Sequence, residues 1–380
     1  MTQKSILIIP FCAHGHIPGA CKVIEDLLSL GFKATCLITE EFEKRFRDIG
    51  ANTEVYKLDM SEAPKSSSRD EFSDFFFPKL TELFLSMSDK IKGKYDFLIV
   101  DSFFDGYEIN KLYKIPKVIT LFNGFSDLDN VTKEYFMKNN LELFTVLNKK
   151  YNLELRHYLI NLIYPKTKYN LMLTSKEFHP KTPYINDTYY FIGPVIEKRA
   201  IDKSFTFKKE PNKKLIFISL GTLNFSNINF FKICIKAFKT YNDYQIILSI
   251  GNHLKKESLG EIPDNFFIYN YVPQLQVLEQ ADIFITHGGL NSIYEAFILC
   301  ELPLIIVPQE VDQKVNADII KGYNASINLD NETLNSEQLI EAVNTMIKEK
   351  DKFKVGVKKI VDTFNKTVEN RKKILEKIFV

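Results

Sequence analysis

Residues 271–316 read YVPQLQVLEQADIFITHGGLNSIYEAFILCELPLIIVPQEVDQKVN. The apolar run Ile283–Thr286 has the length and β-branched content of a buried strand, and His287-Gly288-Gly289 breaks it before a helical segment that starts near Asn291 or Ser292. A strand, a glycine turn and a helix in that order form part of a βαβ unit, and Leu304–Val307 reads as the next strand. Gly288 and Gly289 let a ligand approach the backbone, while the helix start offers unpaired N–H groups and partial positive charge, so the turn suits a phosphate or diphosphate. His287 stands at the carboxyl end of its strand, where open α/β sheets bind ligands, and Asn291 and Ser292 add side-chain donors. Glu295 follows Asn291 by one helical turn and suits a ribose diol. Taken alone, a turn histidine and a helix glutamate are equally compatible with plain structure.

The same rhythm extends outward. Leu215–Leu220, Gln245–Ile250 and Phe266–Tyr271 read as strands upstream, and residues from Ser336 onward as helix. An earlier series opens with strand Ser5–Phe11, a turn at His14–Gly19, a helix carrying Val23, Ile24, Leu27 and Leu28, a stop at Gly31 and strand Ala34–Thr39. Tyr95–Val100, which runs into Asp101, Lys117–Leu121 and Asn170–Thr174 read as further strands. The polar, turn-rich stretch between Gly193 and Lys214 reads as a linker. A chain of 380 residues exceeds what one core organises, so the pattern predicts an α/β protein of two Rossmann-like domains, 1–200 and 212–360, with a terminal helix over 361–380 that packs back on the first. Between Asp59 and Ile163 the chain is rich in aromatics, among them Phe72, Phe75, Phe76, Phe77, Phe84, Phe103 and Phe104; most read as core and a minority as lining of an apolar pocket.

The charge balance, 50 Lys+Arg against 48 Asp+Glu, leaves +2 and no long block of one sign, which argues against nucleic acid or anionic lipid as partner. Five scattered cysteines (Cys12, Cys21, Cys36, Cys234 and Cys300) read as reduced thiols. No run approaches the roughly 20 apolar residues of a membrane span, and Ile6–Phe11 is too short for a signal segment, so the expectation is a cytoplasmic protein without membrane insertion. His157, His179 and His253 are isolated and lack partners at metal spacing.

The long stretch as a whole resembles the donor-binding signature of the family 1 glycosyltransferases, which include UDP-glycosyltransferases and macrolide glycosyltransferases of GT-B fold. The match covers Val272-Pro273-Gln274, Thr286 to Glu295, Pro308-Gln309 and Asp312-Gln313, in order and spacing. Ser219-Leu220-Gly221-Thr222 matches a second family motif. The resemblance implies two parallel-sheet domains facing across a cleft and transfer of a sugar from a UDP- or dTDP-sugar donor, UDP-glucose foremost, without a metal or other cofactor. It makes His287 a diphosphate ligand with Gly288, Gly289, Asn291, Ser292, Ser219 and Thr222 around it, and sets Gly15 with the donor-binding residues. It assigns Glu295 to the ribose, Gln274 and the Val272 backbone to the base edge, Tyr271 to stacking on the base, and Asp312 and Gln313 to sugar hydroxyls. Leu290 stands where plant members carry Trp.

In the first domain the resemblance makes His16 the catalytic base and Asp101 its partner carboxylate. The chemistry fits the residue types: an acceptor hydroxyl must lose its proton as it attacks the anomeric carbon, an imidazole takes it, and a carboxylate stabilises the imidazolium; in-line attack inverts the centre. The family's GHxNP becomes Gly15-His16-Ile17-Pro18-Gly19 here, with proline one place early. The acceptor expected is a small apolar or aromatic hydroxyl compound. Two rivals share the fold: a nucleotide-sugar 2-epimerase, which needs acidic catalytic groups in the cleft, and a non-catalytic activator subunit, which has no use for His16 and Asp101.

Overall fold

The structure, a computed structural model, describes residues 3–58, 69–91, 94–125, 144–156, 158–196, 201–221, 227–252 and 254–380, with no side-chain account for 69–75, 158, 159, 163 and 311. The chain divides into two compact units, Met1–Val195 with Phe364–Val380, and Ile196–Thr363.

Unit 1 is built on a parallel sheet of strands β1 (Ser5–Ile9), β2 (Lys33–Thr39), β3 (Asn52–Tyr56), β4 (Phe97–Asp101), β5 (Lys117–Phe122), β6 (Asn170–Met172) and β7 (Tyr189–Phe191), in the order β3-β2-β1-β4-β5-β6-β7. Successive side chains alternate between two cores. Ile6, Ile8, Cys36 and Ile38 join one apolar cluster, whereas Leu7, Ile9, Leu37 and Val100 join the other. Burial on both faces is why these strands read as unbroken apolar runs. The first strand stops at Ile9, short of the predicted Phe11, because Pro10 has no N–H to continue the ladder.

Unit 2 repeats the plan with β8 (Lys214–Ser219), β9 (Tyr244–Ser249), β10 (Phe266–Tyr269), β11 (Ile283–Thr286), β12 (Leu304–Ile306) and β13 (Ser326–Asn328), all parallel in the order β10-β9-β8-β11-β12-β13. Ile216, Ile218, Ile246, Leu248, Ile283 and Ile285 share one core. On the other face Phe217 and Phe284 stack with ring centroids 4.8 Å apart. The strands β3, β7 and β13 escape the sequence pattern: β3 is a polar edge strand, and the others are three residues long. Among the described residues no helix is long and apolar enough to cross a membrane.

The helix Lys350–Phe379 is shared between the cores. Phe353 belongs to the apolar cluster of unit 2, and Leu375, Ile378 and Phe379 to that of unit 1. Buried Arg371 donates to the carbonyls of Ile192 (2.6 Å), Gly193 (3.2 Å) and Pro194 (2.7 Å). Gly193 has φ of 80°, and a side chain there would meet Val368 Cγ2 at 2.6 Å, so the backbone can present its carbonyl only as glycine. Replacing Arg371 by Leu strips three buried carbonyls of their donor. We expect this to lower stability by about 3 kcal/mol, read as a lower denaturant midpoint; an unchanged midpoint would mean the guanidinium is dispensable.

Candidate active site

Each sheet has one place where the strand order reverses. In unit 1 the chain runs outward from β1 to β2 and β3, then crosses to β4 on the other side of β1. Loops after two such strands diverge to opposite faces and leave a crevice at their carboxyl ends. The register levels β1 with β4, Ile9 opposite Val100, so the residues just beyond face one another. Past β1, His16 N–H donates to Ala13 carbonyl at 2.9 Å to close a turn, and the helix Ile17–Ser29 begins with Pro18 in its first turn. Gly15 is exposed in that turn.

His16 occupies the N-cap position, but its side chain makes no cap bond and turns instead to Asp101, with Nδ1 2.8 Å from Oδ2. Asp101 is 1% exposed. Its Oδ1 accepts from Phe103 N–H at 3.1 Å and its Oδ2 also from Asn123 Nδ2 at 3.0 Å. A carboxylate accepts, so Nδ1 is the donor in this bond, and the lone pair of a neutral ring is then the one on Nε2. The ring leans on Phe11 and Phe103, with centroids 5.0 and 4.8 Å away. Behind them Phe76 and Phe77 approach Phe11, and Phe77, Phe84 and Phe104 are buried core. The His16 ring therefore borders an aromatic wall. The side chains of Phe72 and Phe75 lie outside the described residues, as do His157, His253 and Thr222. His179 is a buried core histidine, Nδ1 2.8 Å from the Pro180 carbonyl, and His14 meets Glu41 at 3.2 Å on the surface.

Unit 2 reverses in the same way between β8 and β11, with Ser219 opposite Thr286. Just beyond, the His287 imidazole is held between two glycines. A Cβ on Gly221 would lie 2.7 Å from its Cε1, and one on Gly289 2.5 Å from its Nε2. Gly221 and Gly288 also adopt φ of 75° and 87°, conformations that favour glycine. A Cβ on Gly288 would strike Ile306 Cγ2 at 2.7 Å, and its carbonyl accepts from buried Asn316 Nδ2 at 2.7 Å. Burial pushes the His287 pKa down to about 4, against a weaker upward pull from a hydrogen bond to the Ser219 backbone. The ring is thus neutral at physiological pH, a donor and acceptor without charge. Ser219 Oγ accepts from Gly221 N–H at 3.2 Å, bracing the turn that lays Gly221 against the His287 ring.

The helix starts at Leu290, one residue before the predicted start, and after Tyr294 widens into a π-turn over Glu295–Leu299. Such turns recur at functional sites. Glu295, 4% exposed, accepts from Gln274 Nε2 at 2.6 Å, and the same amide lies 3.2 Å from Ser292 Oγ. Gln274, Ser292 and Glu295 are therefore one polar cluster. Tyr271 is 62% exposed beside buried Val272, and Asn291 is half-buried on the first turn. Asp312 is exposed, whereas Gln313 is buried with its Oε1 accepting from the backbone of Gln309 (2.9 Å) and Glu310 (3.2 Å). That bond forms a capping box, so the oxygen of Gln313 shapes the loop. Gln309 is likewise bound within the loops, to Asn227 and Asn331. Sequence reasoning missed Asn123 and Asn316. Asn123 follows β5 as Asp101 closes β4, so strand-end position was its only signal; Asn316 lies one turn beyond Gln313.

Residues 215–373 match the model of the glycosyltransferase family 28 C-terminal domain. The uncharacterised UDP-glucosyltransferase YdhE of Bacillus subtilis is 27% identical over 391 residues, spanning 99% of this chain and 98% of that protein. The NDP-glycosyltransferase YjiC of Bacillus subtilis is 28% identical over 90% of this chain and 89% of its own length. Among solved structures, the glycosyltransferase of kitacinnamycin superimposes with a TM-score of 0.81 at 21% identity, over 100% of both chains.

His287 has a consequence for stability. Unfolded, the ring titrates near 6.5; folded, near 4. Between those values the unfolded chain binds the extra proton, so stability falls as pH drops through this window, by up to about 3 kcal/mol. His287→Gln removes that part of the slope. Denaturant titrations at several pH values between the two check it, and parallel profiles for both proteins would refute it.

Proposed function

The chain is a family 1 glycosyltransferase of GT-B type, and from that premise we propose that it transfers glucose from UDP-glucose to a hydroxyl of a small hydrophobic acceptor, with inversion. The observation that carries the chemistry is the His16–Asp101 hydrogen bond of 2.8 Å. Nε2 of His16 takes the acceptor proton, the oxygen attacks the anomeric carbon, the bond to the diphosphate breaks, and Asp101 stabilises the imidazolium. The aromatic wall of Phe11 and Phe103 beside the base favours an apolar or aromatic acceptor.

In unit 2 the neutral His287, Ser219, Thr222, the Gly288-Gly289 turn, Asn291 and Ser292 hold the leaving diphosphate. Donors fixed in place stabilise charge as it develops, and this takes the part a divalent cation plays elsewhere. Glu295 receives the ribose hydroxyls, with Gln274 aligned by the bond already present. The exposed ring of Tyr271 is a stacking platform for the base, and Asp312 with Gln313 reads the sugar. UDP-glucose is favoured because a relative similar along its whole length bears the name UDP-glucosyltransferase. A cytoplasmic location is proposed with it, in keeping with cysteines that are all free thiols.

The test is an acceptor screen with UDP-glucose over flavonoids, macrolides and sterols, scored by mass gain. With the acceptor found, His16→Ala is expected to lower kcat about a thousandfold while KM for UDP-glucose stays within about twofold. Full turnover by the variant would sink the mechanism; UDP release without acceptor gain would sink transfer.

A further inference from the structure

The side chain of Asn123 bonds the carboxylate of the His16–Asp101 pair. Its Nδ2 donates to Asp101 Oδ2 at 3.0 Å, the oxygen that also faces His16 Nδ1 at 2.8 Å. The amide orientation follows from chemistry, since a carboxylate offers no proton and only the NH2 end can bond it. A carboxylate turns readily about its last torsion, which is broad and roughly two-fold. One donor, Phe103 N–H on Oδ1, fixes one oxygen; the second donor, Asn123 on Oδ2, fixes the other.

The opposite end of the amide meets the first turn of the helix after His16. A Cβ on Gly19 would lie 2.2 Å from Asn123 Oδ1 and 2.3 Å from Leu173 Cδ1. No side chain fits there while Asn123 keeps its place. Gly19 follows the early Pro18, so the departure from the GHxNP pattern and the seat for Asn123 occur on the same turn.

We propose that Asn123 is a positioning residue: seated against Gly19, it pins the Asp101 carboxylate so that neutral His16 stays in the single tautomer with Nδ1 protonated and the Nε2 lone pair free. The inference rests on the reading of His16 as the base, yet its primary readout does not require turnover. Without the amide, Oδ2 of Asp101 is held by the His16 ring alone, so the carboxylate no longer has an independent anchor at that oxygen, the imidazole's tautomer preference weakens, and part of the population presents Nε2–H, which cannot accept a proton. The titratable neighbours of the pair are Cys12, whose thiol burial pushes up and whose charge Asp101 opposes, and Tyr56, pushed up by burial beside Cys12. Both stay neutral near pH 8, so they add no charge to the comparison.

The experiment uses full-length protein labelled with 15N in the histidine rings, with His16 assigned by loss of its signals in His16→Gln. At about pH 8, where an ordinary imidazole is neutral, the wild type is expected to show His16 as one tautomer, protonated at Nδ1. Asn123→Leu, close in shape but without donor or acceptor, should raise the Nε2-protonated fraction several-fold. Gly19→Ala, which displaces the amide, should do the same, and it serves as the second variant should Asn123→Leu fail to fold. With UDP-glucose and quercetin as probes, kcat should fall about tenfold with KM for UDP-glucose within twofold. An unchanged ring spectrum in either folded variant overturns the role of Asn123, whether or not quercetin is turned over. Retained turnover by His16→Ala would instead remove the base assignment and leave the tautomer result standing.

Discussion

Parallel pairing at the two points of strand reversal is the constraint on which the molecule depends. β1 beside β4, and β8 beside β11, end level with one another, and the helices that follow each pair leave by opposite faces. Backbone that diverges in this way exposes strand ends without a covering element, so side chains set just past them gather at one spot. His16 meets Asp101 there in unit 1, and Ser219 and Gly221 meet His287 there in unit 2. A slip of one residue in either pairing would turn the apolar set to the wrong face, so the same burial that fixes the core fixes the site.

The two histidines illustrate how surroundings divide one side-chain type between tasks. His287 has glycine backbone on both sides and little water, which keeps it uncharged and suits it to hydrogen bonding an anion without carrying a proton away. His16 faces a buried carboxylate, which suits it to receive a proton. Under the proposed chemistry these are complementary requirements. The glycines are as necessary as the histidines, because a methyl group at 221 or 289 would occupy the imidazole's space.

The strands legible in the sequence are those buried on both faces, where an unbroken apolar run leaves no doubt about type. β3 was not legible because its polar residues follow an edge position, and β7 and β13 because they are three-residue strands at sheet edges, only partly buried and without an apolar run. In the site, His16, Asp101, His287, Gln274 and Glu295 were readable from local motifs, and the structure brings the first two, and the last two, into direct contact. Gln313 was read as a sugar ligand but its oxygen also closes a capping box, a role hidden until the loop over 309–310 takes shape. Asn123 carried no motif, only its place past a strand end, since its partners lie 22 and 104 residues earlier in the chain (123 − 101 and 123 − 19) and the sheet assembles them.

The shared terminal helix bears on the order of events during synthesis. Unit 1 comprises the start of the chain and its residues 364–380, so its apolar cluster lacks Leu375, Ile378 and Phe379, and its carbonyls at 192–194 lack Arg371, until all of unit 2 has been translated. Domains commonly fold one after another as they leave the ribosome. Here unit 1 stays unfinished while unit 2 matures, and residues 364–380, made after unit 2, complete it.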